Sequence, residues 1–444
     1  MRPKAVKAIK MAEAIRDVPG GRDGRRMLLV NFVDKTGSGL WVGAAALYYT
    51  SVVGMDVRRV GLLLALAGAV GVAGSPVAGR IADRVSVTRL LIAVQSLRAA
   101  AAVGILLTGS FWLLLPLAAL ASFGERSASV LTKLYAARVA GPDRVRYQAV
   151  NRTIINVGFA LGGLAAAAAL AIGSDAAFHT LLVGDALSYV IAALLVTRCA
   201  QPPSPSRVVA AGTRSPEQPV RRSSPWRDRG YLAYVGTEAL LLLDDAILNV
   251  GLPLWIVTRT SAPHSLAAVL LVLNNILVVL FVLPLSRLGR TPQAAASSLR
   301  LVAAAFLAGC AAMAASAAPD SPWAATALLA GAAVAFTVVE MVHAAVSWEL
   351  SLALAPACAQ GAYLGVHGLA QSAERSAGPL ILTSAVIVAG PAGWLALGAG
   401  LVLVAAGQRA LVCRRLDGPA RRAQSGDPVP SGHIEAADAL ESGP

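Results

Sequence analysis

Residues 79–89 read Gly79-Arg80-Ile81-Ala82-Asp83-Arg84-Val85-Ser86-Val87-Thr88-Arg89: one carboxylate among three arginines. The stretch lies between two apolar runs, each long enough to cross a bilayer, which takes about 20 residues of helix. It reads as a short basic hinge between the second and third of a series of membrane spans. Composition agrees: 56% of residues are hydrophobic and 14% charged, and the mean hydropathy is +0.65. An ordinary soluble domain carries roughly a quarter charged residues. The expected fold class is therefore all-α integral membrane.

The formal net charge is +14. A nucleic-acid binder would gather such charge on a polar, soluble fold. Here the cations stand at the ends of apolar runs, so the expected partner is membrane lipid, with no nucleic acid. The four cysteines, Cys199, Cys310, Cys358 and Cys413, have no metal-ligand or C-x-x-C spacing. No zinc motif, Ser-His-Asp set or phosphate-binding Gly-x-x-x-x-Gly-Lys-Ser/Thr loop is present. No metal, cofactor or enzymatic activity is expected, and ATP has no visible site.

Residues 1–26 are basic and read as a cytoplasmic tail; the apolar run that follows is too long for a signal peptide. Candidate spans then recur at roughly 27–50, 59–80, 89–109, 111–138, 148–172, 177–198, 231–257, 265–287, 294–317, 322–347, 360–389 and 391–412. Residues 199–230 hold six prolines among serines and arginines, the composition of a linker. They divide the chain into a first six-helix bundle (27–198) and a second (231–413). Residues 414–444 are expected to form a mobile tail. Arginines crowd the even-numbered gaps and both ends, whereas the odd-numbered gaps hold little beyond Arg58, Arg59 and Arg259. The positive-inside rule places both termini and the linker in the cytoplasm, and arginine- and alanine-rich coding suggests a bacterial inner membrane. Trp41, Trp112, Trp255, Trp323 and Trp394 fall near outer span ends and read as an interfacial belt. Leu285-Ser286-Arg287-Leu288-Gly289-Arg290, after the eighth span, looks like a worn copy of the loop after the second. One such loop in each half suggests two parallel six-helix repeats.

Twelve spans, a central linker and the Gly79–Arg89 loop together resemble the major facilitator superfamily over about residues 27–412. The resemblance implies a cavity between the halves, alternating access, and a mostly monomeric carrier. It also implies a gating loop of Gly79, Asp83, Arg84 and Arg89. Gly79 permits close helix approach, and Asp83 accepts backbone N–H bonds at the start of span 11, near Gln360-Gly361. The loop departs from the family pattern at Ser86 and Thr88. The competing reading is a basic loop that only fixes topology.

A charge buried in lipid costs about 2.5 kcal/mol or more, so charged residues inside spans mark a protein interior or water. Asn31, Asp34, Lys35 and Ser38 share one face of span 1. Arg98 lies in span 3, Glu125 and Arg126 in span 4, Asn156 in span 5 and Asp185 in span 6. In the second half, Glu238, Asp245 and Asn249 fall on one helical face. Glu340, His343 and Ser347 form a stripe on span 10; His367, Gln371, Glu374 and Arg375 form another on span 11. These read as cavity and substrate residues or as structural ion pairs. A carboxyl half removed from water can bind and release a proton near neutral pH, and Asp34, Glu125 and Asp245 are the proton-coupling candidates. Gly158, Gly162 and Gly163 in span 5 resemble the glycine-rich exporter signature without its proline, or else serve close helix packing. The stretches 146–163, 230–263 and 364–379 resemble bacterial efflux members, macrolide-type exporters included. Aromatic residues are only 5%, few for a sugar carrier. The reading is proton-driven efflux of a hydrophobic or cationic small molecule. Uptake by symport and a non-transporting sensor or scaffold on the same fold stand as alternatives.

Overall fold

A computed structural model describes residues 18–42, 44–172, 174–202 and 224–424. The first part of the expected N-terminal tail, most of the linker and residues 425–444 lie outside the described residues. The principal helices are α1 (Gly21–Val42), α2 (Val57–Val72), α3 (Gly74–Ala82), α4 (Val87–Leu106), α5 (Phe111–Ala140), α6 (Arg144–Ile172) and α7 (Asp175–Thr197). After the linker follow α8 (Arg229–Leu241), α9 (Leu252–Arg259), α10 (Leu266–Leu285), α11 (Pro292–Ala315), α12 (Pro322–Ala353), α13 (Gln360–Ile381) and α14 (Pro391–Gln424).

Their starts are written in side chains. Asp56, Ser86, Ser174, Asp228 and Thr291 each accept a backbone N–H three residues on, opening α2, α4, α7, α8 and α11. Ser86 and Thr88 also meet Gln201 Oε1, at 2.5 and 2.8 Å. The two departures from the family's loop pattern thus cap a helix and pin the loop to the end of the first half.

Nine segments among the described residues are long and apolar enough to cross a membrane. One of them, 111–169, has 59 residues and is interrupted by the turn Gly141–Asp143 between α5 and α6. Helices α1 and α13 are not among the nine; they carry Asp34 and Lys35, and His367, Gln371, Glu374 and Arg375. Exposed leucines and valines on many helices, among them Leu62, Leu107, Leu164, Val272 and Leu403, give an apolar exterior suited to lipid.

Several helix bounds differ from expectation. Helix α1 begins at Gly21, inside the expected tail, because its arginines tolerate a helical turn beyond the apolar run. Helix α14 runs on to Gln424 rather than ending near 412. Arg415 pairs with Asp228, the cap of α8, and lies over Gly230, so this part of the expected mobile tail is tied down. The seventh span is not one helix. It breaks at Leu242, resumes as Leu243–Ala246, passes through a π-turn at Ile247–Gly251 and ends as α9, with Pro253 in its first turn.

One apolar core is built from buried residues between Tyr231 and Val412, around Tyr231, Tyr234, Phe306, Phe336, Trp255 and Trp394. Another lies between Ala44 and Tyr189. A third joins the two, setting Ala345, Trp348, Leu352 and Leu364 against α3, α4 and α5 residues. The interfacial reading fails for Trp255 and Trp394, which are fully buried and meet edge to face at 5.7 Å. Trp112 and Trp323 are exposed.

Candidate functional site

The polar face of α1 points inward. Asn31, Asp34 and Ser38 are buried and Lys35 is half-buried. Asn31 Nδ2 donates to Asn151 Oδ1 of α6 at 2.7 Å. Asp34 Oδ1 accepts from Gln95 Nε2 of α4 at 3.0 Å and from the Arg98 guanidinium. Lys35 Nζ lies 3.4 Å from Asp34 Oδ2. The other side of Arg98 rests on the Tyr189 ring of α7, 3.9 Å from its centroid, and Tyr189 donates to Asp185 Oδ2 at 2.9 Å. Three helices are therefore joined by one chain of charges. Such pairing offsets the several kcal/mol that burying each ion costs.

Beside this network lies a cavity of about 130 Å³ lined by Ser38, Trp41, Tyr49, Arg98, Glu125 and Tyr189, among others. Glu125 is half-buried and sits in the combined field of Lys35, Arg98, Arg375 and Arg126. Helix α6 approaches α1 closely enough that a Cβ on Gly162 would come 2.1 Å from Thr36 O. Gly158, where a Cβ would come 2.8 Å from Phe32 O, and Gly162 are therefore used in helix packing, whereas a Cβ on Gly163 would meet nothing within 4 Å.

The second half holds a separate cluster. Glu238 of α8 is 1% exposed. Its Oε1 lies 3.4 Å from His343 Nε2 of α12 and 3.7 Å from His367 Nε2 of α13. Its Oε2 accepts from Gln408 Nε2 of α14 at 2.9 Å. The Tyr234 ring stacks on His367, whose Nε2 is 3.4 Å from Ser347 Oγ. The shared face expected for Glu238, Asp245 and Asn249 is not kept. The break at Leu242 shifts the register, so Glu238 turns into the bundle while Asp245 and Asn249 are exposed and bonded to each other at 3.2 Å. The stripe on span 10 also divides: His343 turns inward, whereas Glu340 bonds Arg152 of α6 at 2.5 Å and Asn274 of α10 at 2.7 Å. Asn156, Gln371 and Arg126 are half-buried and Glu374 is buried.

The two halves meet in a seam at the end of the molecule that holds the 79–89 loop. Asp83 Oδ1 and Oδ2 accept from Gly361 N and Ala362 N, each at 2.8 Å, and Arg138 lies 3.9 Å from Oδ1. Backbones touch here: a Cβ on Gly79 would stand 2.1 Å from Gly361 O. Arg84 and Arg89 are exposed. At the same end Arg144 of α6 forms a two-pronged pair with Glu349 of α12, at 2.8 and 2.7 Å.

Sequence patterning does not single out Gln95, Tyr189, Gln408, Asn274 or the Arg144–Glu349 pair. Gln95 with Arg98 at i, i+3 in an apolar span was the one available signal; the others depend on which helices become neighbours. Among the described residues no group of three or more His, Cys, Asp or Glu side chains is arranged to hold a metal ion.

A lipid-compatible exterior around buried polar networks, with a seam between its first and second parts, defines a multi-pass helical membrane carrier. The Major Facilitator Superfamily model matches residues 27–379, and the chain belongs to that superfamily. It is a transporter and not an enzyme, and secondary transport is the activity of the fold. A bacterial homologue of the iron transporter ferroportin, solved in an outward-facing state, is similar with TM-score 0.65 at 14% identity, over 89% of this chain and 100% of that one. The human organic anion transporter MFSD10 (TETRAN) matches with TM-score 0.52 and 15% identity, over 88% and 99% of the two chains. The nucleoside transporter NupG matches with TM-score 0.52 and 16% identity, over 87% and 99%. At these identities the likeness is one of fold. No curated protein matches the chain.

Proposed function

We propose that this chain is a proton-driven exporter of a hydrophobic or cationic small molecule, of the bacterial drug and macrolide efflux type, working by alternating access. Its twelve spans include α1 and α13, whose polar faces are turned to the interior. They form two six-helix bundles, 27–198 and 231–413, in the bacterial inner membrane, with both termini cytoplasmic and the carrier monomeric. The arginine-rich Asp83 end is then cytoplasmic. The observation that carries the reading is the seam at that end: Asp83 on the start of α13, with Arg144–Glu349 and Arg152–Glu340 crossing between the halves. These contacts hold the cytoplasmic side closed, and breaking them is the step that admits substrate.

Glu125, which lines the first-half cavity with Trp41 and Tyr49, is the recognition carboxylate for a cation. Asp34 serves as the fixed counter-ion of Arg98. Accumulation of ethidium in pump-deficient bacteria expressing the chain tests the reading. Lower accumulation, abolished by an uncoupler and by Glu125→Gln, is expected; raised accumulation in expressing cells would make the chain an importer.

A further inference from the structure

We propose that the buried Glu238–His343–His367 cluster is the proton-binding site of this carrier, reached from the cytoplasm when the Asp83 seam parts. The proposal rests on the proton-coupled reading above and names the groups and the gate.

The cluster joins three titratable side chains from α8, α12 and α13, with Gln408 of α14 holding one Glu238 oxygen at 2.9 Å. Glu238 and His343 are each 1% exposed. Glu238 Oε1 faces His343 Nε2 at 3.4 Å and His367 Nε2 at 3.7 Å. A buried carboxylate needs a cation beside it, and here the neighbours are imidazoles, which become cations by taking up a proton. The cluster can gain or lose one proton while its charge stays within one unit of neutrality. Asp34 is less suited to this: it is the direct ion-pair partner of Arg98, a fixed charge 2% exposed, and breaking a buried pair is destabilising.

The surrounding charges are on every packed element. Tyr234 of α8 stacks on His367. Asp244, just past the break in the seventh span, is buried with Oδ1 unpartnered among the described residues. Glu340 of α12 is committed to Arg152 and Asn274, and α13 adds Glu374 and Arg375. From the first half, Lys133 of α5 lies in the field of Glu238, and His343 lies in the field of Arg152 of α6.

The gate follows from packing. His367 is 9% exposed, the least buried of the three. Its helix is pressed onto the first half by Gly365, against Ser75 O, and by Gly368, against Ser75 and Val130. Asp83 closes the same seam at Gly361, six residues or about 9 Å along α13. Lys133 lies one turn beyond Val130. Parting the seam lifts α13 from α3 and α5 and uncovers the His367 side of the cluster.

The test is histidine-selective ¹⁵N NMR of the purified full chain between about pH 5 and 8, with His343→Gln and His367→Gln to assign the signals. The two imidazoles are expected to titrate together, and Glu238→Gln to abolish the uptake. Asp83→Asn is expected to speed solvent exchange of the imidazole protons by about tenfold or more. If Glu238→Gln fails to fold, His367→Gln serves, leaving His343 in one protonation state throughout. Two results would overturn the proposal: imidazoles that hold a single state across the range in the folded wild type, or a titration that Glu238→Gln leaves unchanged. Uncoupler-sensitive ethidium export measured alongside separates the two claims. Sensitive export with a silent cluster removes this site alone; a titrating cluster with insensitive export retains the site and removes the coupling.

Discussion

Gly79→Ala is the perturbation that addresses the seam with the least chemistry. A Cβ there would stand 2.1 Å from Gly361 O, against the 3.4 Å at which ordinary contact begins, and 3.0 Å from Gly365 Cα. Both obstacles are backbone, so neither can rotate away, and α3 must draw back from α13 by more than about 1 Å. The two N–H bonds that Asp83 receives from Gly361 and Ala362, now 2.8 Å, would lengthen past the range of a hydrogen bond. Bonds to a charged acceptor contribute about 1.5–3 kcal/mol each. Taking the low end for a water-accessible edge, the closed seam loses about 3 kcal/mol, a shift of about 150-fold toward the open seam. Spin labels at Arg80 and Ala357, both exposed and flanking the seam, report the change by pulsed electron spin resonance in a background lacking the native cysteines. The expected result is a dominant short distance in the parent and a dominant longer one in Gly79→Ala, with helix content unchanged. Identical distance distributions in the two proteins would refute the seam as the closing contact.

Three further outcomes follow from the same packing. Arg98→Ala leaves Asp34 and Asp185 without their buried cation and should cost about 3–5 kcal/mol, read as a large drop in thermal midpoint; Arg98→Met with Asp34→Asn should recover much of it. Glu349→Gln should weaken closure by about 1.5–3 kcal/mol, and exchanging the charges of Arg144 and Glu349 should restore part of the short seam distance. Trp255→Ala removes a fully buried ring and its bonds to Met313 O and Ser316 Oγ, costing about 3–5 kcal/mol in thermal unfolding without moving the seam.

Much of the architecture was legible because lipid allows so few solutions. Helices must satisfy their own backbones, so apolar length alone located most of them. The inward face of α1 was legible for the same reason: Asn31, Asp34 and Ser38 repeat at helical spacing and had nowhere else to go. What periodicity could not supply was the break at Leu242. It separates Glu238 from Asp245 and Asn249, and no proline stands at the break itself. Arg98 on Tyr189 and Gln408 on Glu238 join residues 91 and 170 positions apart, and only the packing of helices brings them together. Trp255 and Trp394 misled because a tryptophan near a span end suits both an interface and a buried pair, and for Trp255 the choice lies with Met313 and Ser316 at the end of α11.

The most direct measurement of the central claim is proton movement in inside-out vesicles containing the purified chain, with an acid interior set beforehand and followed by a pH-sensitive dye. The account predicts that adding tetraphenylphosphonium or ethidium releases protons from the lumen, with the effect lost in Glu125→Gln. A gradient left untouched by cations that the same vesicles accumulate would contradict proton-coupled export.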